Sequence, residues 1–261
     1  MKFSEVLRTL QRDADGWSAS VPDDWLNGRT AFGGLQAAFA VSAMRQLLSS
    51  AMPLRTLQAT FFAPVPAGPL AVRAELLRTG KNTAHVQARL VEGAQTLALF
   101  IAVFGGARVS TLNVLPRQSL VESSKPMPFG YIPGLMPVFT QHFSARWLRG
   151  GFPYSSATLP QNIVELGFDD DGPVSDAHVL ALADYIPPVA LSFLKKPAPG
   201  GTLTWMLEIF ADSYEGLNLQ GWRVDADLVA AVGGYTSQSV MLWGQGGVPV
   251  ALSRQNMVVF G

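Results

Sequence analysis

The sequence predicts an α+β protein in which one layout, an apolar helix followed by antiparallel strands, occurs twice. Three observations predict it. Gly34 to Leu48 and Ser175 to Leu194 are both apolar on most sides, and such helices are wrapped by other structure rather than laid on a surface. Each is followed by four segments of strand length, several alternating apolar and polar residues, which marks a sheet with one buried face. The tripeptide Val-Phe-Gly closes the last strand of each copy, at Val103-Phe104-Gly105 and Val259-Phe260-Gly261. A match at equivalent places is the signature of an internal repeat.

The first helix, Gly34 to Leu48, carries a narrow polar stripe at Ser42, Arg45 and Gln46. Its strands are Leu57 to Phe62, Leu70 to Leu77, Thr83 to Val91 and Thr96 to Phe104. In the second of these Val72, Ala74 and Leu76 share one face, and in the third Val86, Ala88 and Leu90 do. Pro-Ala-Gly, Thr-Gly-Lys-Asn and Glu-Gly-Ala separate them, as hairpin turns require. In the second copy Phe139 to Trp147 and Gln161 to Phe168 open, the helix follows, and Thr202 to Phe210, Trp222 to Leu228, Tyr235 to Trp243 and Val250 to Phe260 are the strands. Pro187-Pro188 interrupts the second helix. Proline removes a donor and clashes with the preceding turn, so the helix should kink or end near Ile186. Residues 107–136, rich in Pro, Ser and Gly and without periodicity, read as a crossing linker. The expected division is therefore a first unit at 1–106, the linker at 107–136 and a second unit at 137–261.

With 261 residues, 48% of them apolar, the chain can bury a sizeable core. Lys plus Arg equal Asp plus Glu at 19 each, and no basic stretch points to nucleic acid or a membrane surface. Cysteine is absent, which excludes disulfides, thiolate nucleophiles and zinc–cysteine sites. The N-terminus lacks the apolar core of a signal peptide, and the longest apolar runs are too short to span a bilayer. The expectation is a soluble cytoplasmic protein without membrane or nucleic-acid partners. Few charges and many aromatics point to a homo-oligomer in which another subunit covers part of the surface.

Asp184 is the only charge in the run from Val179 to Leu194. A buried carboxylate is costly unless something pairs with it or uses it. It is therefore either a structural acid bonded to nearby backbone or an acid/base at the edge of a core. Gln255 sits in the final strand, and Thr202 and Thr204 start the strand after the second helix, two apart and so on one face. A carboxylate, an amide and a hydroxyl that converge can position and deprotonate a water; alternatively Gln255 is an amide bonded to backbone and the threonines are ordinary β-formers. Phe32-Gly33-Gly34 precedes the first helix, either as a turn needing glycine or as exposed N–H groups that receive a carbonyl oxygen or other negative charge.

Other chemistry is excluded or unsupported. No nucleophile elbow, Walker loop or dinucleotide fingerprint occurs. His85, His142 and His178 lack metal-ligand spacing. His85 and His178 are expected at the surface, and His142 in a strand core or groove. Asp169-Asp170-Asp171-Gly172 reads as a solvated acidic turn, since the rest of a calcium loop is missing.

Four stretches carry a resemblance: Thr30-Ala31-Phe32-Gly33-Gly34, Thr60 to Pro66 (TFFAPVP), Ala183 to Leu191 (ADYIPPVAL) and Ser253-Arg254-Gln255. Their order and spacing resemble those of the type II acyl-CoA thioesterases and thioesterase-like proteins. The resemblance implies a double hotdog, two antiparallel sheets joined edge to edge, each wrapping a long apolar helix. It implies hydrolysis of acyl-CoA or a related acyl thioester, with no cofactor or metal. The family's water-activating acid falls on Asp184 and its glutamine on Gln255. Its hydroxyl residue falls near Thr204, with Thr202 the alternative. Gly33 and Gly34 would offer backbone N–H groups to the substrate. Two other classes are compatible with a hotdog: a hydratase or dehydratase, which usually uses a histidine or a paired Asp/His in the site, and a non-catalytic acyl-binding protein.

Overall fold

A computed structural model describes residues 1–121 and 126–260. Residues 122–125 of the expected linker, and Gly261 of the second Val-Phe-Gly, lie outside the described residues. In chain order the elements are α1 (Phe3–Leu7), β1 (Gln11–Asp13), β2 (Gly16–Val21), β3 (Leu26–Asn27), β4 (Thr30–Ala31), α2 (Gly33–Arg45), β5 (Leu54–Phe61), β6 (Gly68–Thr79), β7 (Thr83–Glu92) and β8 (Gln95–Gly105). They continue with β9 (Met127–Pro128), β10 (Phe143–Arg149), β11 (Gln161–Phe168), α3 (Asp176–Asp184), β12 (Gly200–Ile209), β13 (Trp222–Val232), β14 (Tyr235–Gly244) and β15 (Val248–Val259).

The two expected sheets form one continuous antiparallel sheet of 13 strands, in the order β1-β2-β6-β7-β8-β5-β12-β15-β14-β13-β11-β10-β9. The order reads alike from both ends, with β2, β5, β6, β7 and β8 answered by β11, β12, β13, β14 and β15. The halves meet where β5 pairs with β12, from Thr60↔Thr204 to Thr56↔Glu208. Three register breaks recur at matching places: Leu54/Thr56 in β5 and Thr202/Thr204 in β12, Leu76/Arg78 in β6 and Leu228/Ala230 in β13, and Leu90/Val91 in β7 and Leu242/Trp243 in β14. A bulge inserts one residue and bends its strand, so matched bulges give both halves the same curvature. They also establish which residues correspond.

The helices lie inside this curve. α2 packs on β6, β7 and β8, and α3 packs on β14 and against α2. Ten α2 residues, from Gly34 to Met44, are buried, consistent with a helix apolar all round. Gly34 lets the helices approach closely, because a Cβ there would stand 2.8 Å from Ala181 Cα. The second helix has nine residues and ends at Asp184, close to the break expected near Ile186. It stops at Asp184 because Pro187 and Pro188 cannot continue it, and a 3₁₀ turn takes over at Val189–Phe193.

Three further expectations fail locally. Leu76 is 44% exposed, because β6 runs past the edge of the core. His178 is buried, with Nδ1 against Ser175 Oγ at 2.9 Å and Nε2 against Asp170 Oδ2 at 3.0 Å. The Asp170 side chain is enclosed rather than solvated and also accepts from Ser4 N–H and Oγ. Burial works to raise its pKa, but the bonds from His178 and Ser4 outweigh that and hold it below the ordinary value. This cluster ties α1 to the start of α3.

Candidate active site

Where the two helices meet, one end of each contributes. Asp184 is the last residue of α3, and Gly33 is the first of α2. A Cβ on Gly33 would lie 2.7 Å from Asp184 Oδ2, so only glycine leaves room for the carboxylate at the start of α2. The Gly34 N–H faces the carboxylate and favours its ionised form. This donor is one of those a helix start leaves unpaired, and the helix dipole favours negative charge there. Gln255 Nε2 donates to Asp184 Oδ1 at 2.6 Å. The structure therefore brings together Asp184, Gln255, Gly33 and Gly34 of the expected site. The negative charge that α2 receives here is the protein's own carboxylate.

Burial pushes the Asp184 carboxyl up to about 7, while the bonds from Gln255 and Gly34 work to lower it. Those bonds favour the ionised form, which is the form a general base needs. Among the described residues no charged side chain contributes to the shift. Phe61 lines the same corner, its Cζ 3.7 Å from the place a Gly33 Cβ would take.

Thr204 is not in this site. Thr202 pairs with Met257 but Thr204 pairs with Asn256, because the bulge at Leu203 breaks the two-residue alternation. Paired residues share a face. Gln255 and Met257, two apart and both buried, face the helices, so Thr202 shares their face. Thr204 faces outward and is exposed, beside Thr60 of β5 and Asn256 of β15. The expectation that the two threonines share a face is corrected by that single inserted residue.

Sequence reasoning missed Gln238. It pairs with Gln255 across β14 and β15, is 2% exposed, and donates from Nε2 to Gln255 Oε1 at 3.1 Å. Its own Oε1 accepts the Val189 N–H at 2.9 Å. The repeat held the signal that could have found it. By the matched bulges, Thr202, Thr236, Gln238 and Gln255 correspond to Leu54, Ala84, Val86 and Ala102. All four first-half residues are buried and apolar. One half thus carries polar groups where the other carries plain core.

The reverse meeting of helix ends holds an ion pair. Arg45 at the end of α2 binds Asp176 at the start of α3, and Tyr214 donates to Asp176 at 2.9 Å. The histidines lie elsewhere: His142 stacks on Trp25 at 4.2 Å, His178 is at the opposite end of α3 from Asp184, and His85 alternates with inward Ala84 and Val86. Among the described residues no group of three or more His, Asp or Glu is placed to hold a metal ion, and no helix is long and apolar enough to cross a membrane.

Comparison with known proteins agrees with this architecture. A hot dog fold protein of unknown function from Alicyclobacillus acidocaldarius superposes with a TM-score of 0.89 at 22% identity, over 99% of this chain and 98% of that one. An acyl-CoA thioesterase II from Mycobacterium marinum superposes with a TM-score of 0.71 at 18% identity, over 99% and 98%. These likenesses show the double hotdog fold. No protein in the curated sequence comparison matches. Family models do: the acyl-CoA thioesterase N-terminal domain matches residues 21–105, and the C-terminal domain matches residues 117–259. The chain therefore belongs to the acyl-CoA thioesterase family, and its reaction class is thioester hydrolysis.

Proposed function

We propose that the protein hydrolyses acyl-CoA thioesters by direct attack of a water that Asp184 deprotonates. The observation that carries this is the Asp184 carboxyl, pushed up to about 7 by burial yet held by Gln255 and the Gly34 N–H. The water oxygen bonds to the thioester carbonyl carbon as its proton passes to Asp184. The tetrahedral intermediate collapses, the C–S bond breaks, and the CoA sulfur takes that proton. Asp184 is then a carboxylate again, and acid and CoA leave. Gln255 aims the carboxylate, and Thr202 takes the role first given to Thr204, holding the water or the acid. Gly33, at the start of α2, supplies the N–H that polarises the carbonyl. Thiol release over a panel of acyl-CoA chain lengths tests the reading. Turnover by the wild type and its loss in Asp184→Asn are expected, and no release across the panel would overturn it.

The proposed division at 1–106, 107–136 and 137–261 is supported by the strand order, which turns over at β5 and β12. A homo-oligomer is proposed on different grounds. Val109, Val114 and Leu120 are at least 90% exposed, and Leu76 with Leu77 and Val229 with Val232 stand exposed at the matching tips of β6 and β13. Apolar surface of this extent is usually covered. Light scattering that shows only a 28 kDa monomer across micromolar concentrations would count against it. A cytoplasmic compartment is proposed on the sequence alone.

A further inference from the structure

We propose that Gln238 is a positioning residue for the reaction, which fixes the direction of the Gln255 amide so that an N–H, and never the carbonyl oxygen, faces Asp184. The inference rests on the hydrolase reading above. It comes from a run of three hydrogen bonds with unlike ends. Val189 N–H donates to Gln238 Oε1 at 2.9 Å, Gln238 Nε2 to Gln255 Oε1 at 3.1 Å, and Gln255 Nε2 to Asp184 Oδ1 at 2.6 Å. Each glutamine amide could turn over, since its oxygen and nitrogen occupy nearly the same shape. The backbone N–H of Val189 cannot, and it can only donate.

Reversing the chain shows what that end enforces. A protonated Asp184 would donate to Gln255 Oε1, Gln255 Nε2 would donate to Gln238 Oε1, and Gln238 Nε2 would then face the Val189 N–H. Two donors would meet in a buried site, which is strongly unfavourable. The direction set at Val189 therefore passes through two amides to Oδ1. Pro188 precedes Val189 and starts the 3₁₀ turn, so the proline pair that ends α3 also presents the fixed donor. The matching first-half pair, Val86 opposite Ala102, can transmit nothing. Among the described residues only burial, Gln255 and Gly34 act on the protonation of Asp184; no charged group of β14, β15, α2 or the 3₁₀ turn does.

The test combines a variant with a measurement on the unaltered protein. In Gln238→Met, of similar length but without the amide, Gln255 is free to turn its oxygen toward Asp184. The acid limb of kcat/KM should move up by about one pH unit, a tenfold change in protonation, with KM little changed and the rate recovering at alkaline pH. In a Gln255→Ala background the same substitution should not move the limb further. A Gln238→Met limb that matches wild type, or a shift of equal size in both backgrounds, would overturn the proposal. A purely structural Gln238 would lower Tm and leave the limb in place. In the unaltered protein, the side-chain amide nitrogens of Gln255 and Gln238 should both follow the Asp184 titration by NMR; a Gln238 signal that stays still would overturn the relay. That titration reads no turnover, so it separates failure of the relay from failure of the hydrolase reading.

Discussion

Replacing Asp184 by Asn should abolish most activity and yet stabilise the protein at alkaline pH. The carboxyl moves from 3.8 to about 7 on folding. At about 1.36 kcal/mol per unit, holding it ionised in the folded state costs about 4 kcal/mol. The sign follows from the raised value. Its contribution to stability is fully present below 3.8 and is lost as pH rises through about 7. Asn removes that loss, but it keeps only one of the two acceptor roles: if its oxygen takes the Gln255 N–H, its own NH₂ meets the Gly34 N–H. One buried unmade bond costs about 1–3 kcal/mol. The variant should therefore gain about 1–3 kcal/mol over wild type at pH 8, with the advantage shrinking toward pH 4. Its turnover should fall by about two to four orders of magnitude, the usual worth of a general base, or about 3–5 kcal/mol in barrier. Thermal melts across pH 4 to 9 and thiol release on the same preparations measure both. Near-wild-type turnover would end the catalytic assignment. A lower Tm at pH 8, with activity lost only in proportion to unfolding, would make Asp184 a structural acid.

The kcat/KM of the wild type should rise with pH through an acid limb near 7, as the active form is the carboxylate; a limb near 4 would show a base outside the buried corner. Thr202→Val should slow turnover roughly tenfold, about 1.4 kcal/mol, whereas Thr204→Val on the outer face should leave kcat/KM unchanged; the opposite ranking would put Thr204, not Thr202, beside the reacting water. Gly34→Ala puts a methyl 2.8 Å from Ala181 Cα, and denaturant melts should show a loss of about 1–3 kcal/mol as the helices are forced apart.

Local pattern made much of this legible in the amino-acid order. The alternation in β7 and β14 reflects one buried face, and the apolar helices are apolar because they lie inside the curve. The end of α3 could be read from Pro187 and Pro188, which act through their own covalent geometry. Asp184 could be read because one charge in an apolar run requires an explanation whatever the fold, and a family resemblance set Gln255 beside it. What tertiary structure alone decided are choices between local states of similar energy. Whether Leu203 bulges depends on how β12 registers with β15, and that one residue sends Thr202 inward and Thr204 out. Whether a turn aspartate is solvated depends on what packs over it, and Asp170 lies under α1 with His178. Gln238 carries no local mark of function, because its role exists only when β14 is laid beside β15 and the broken end of α3 brings the Val189 N–H within reach.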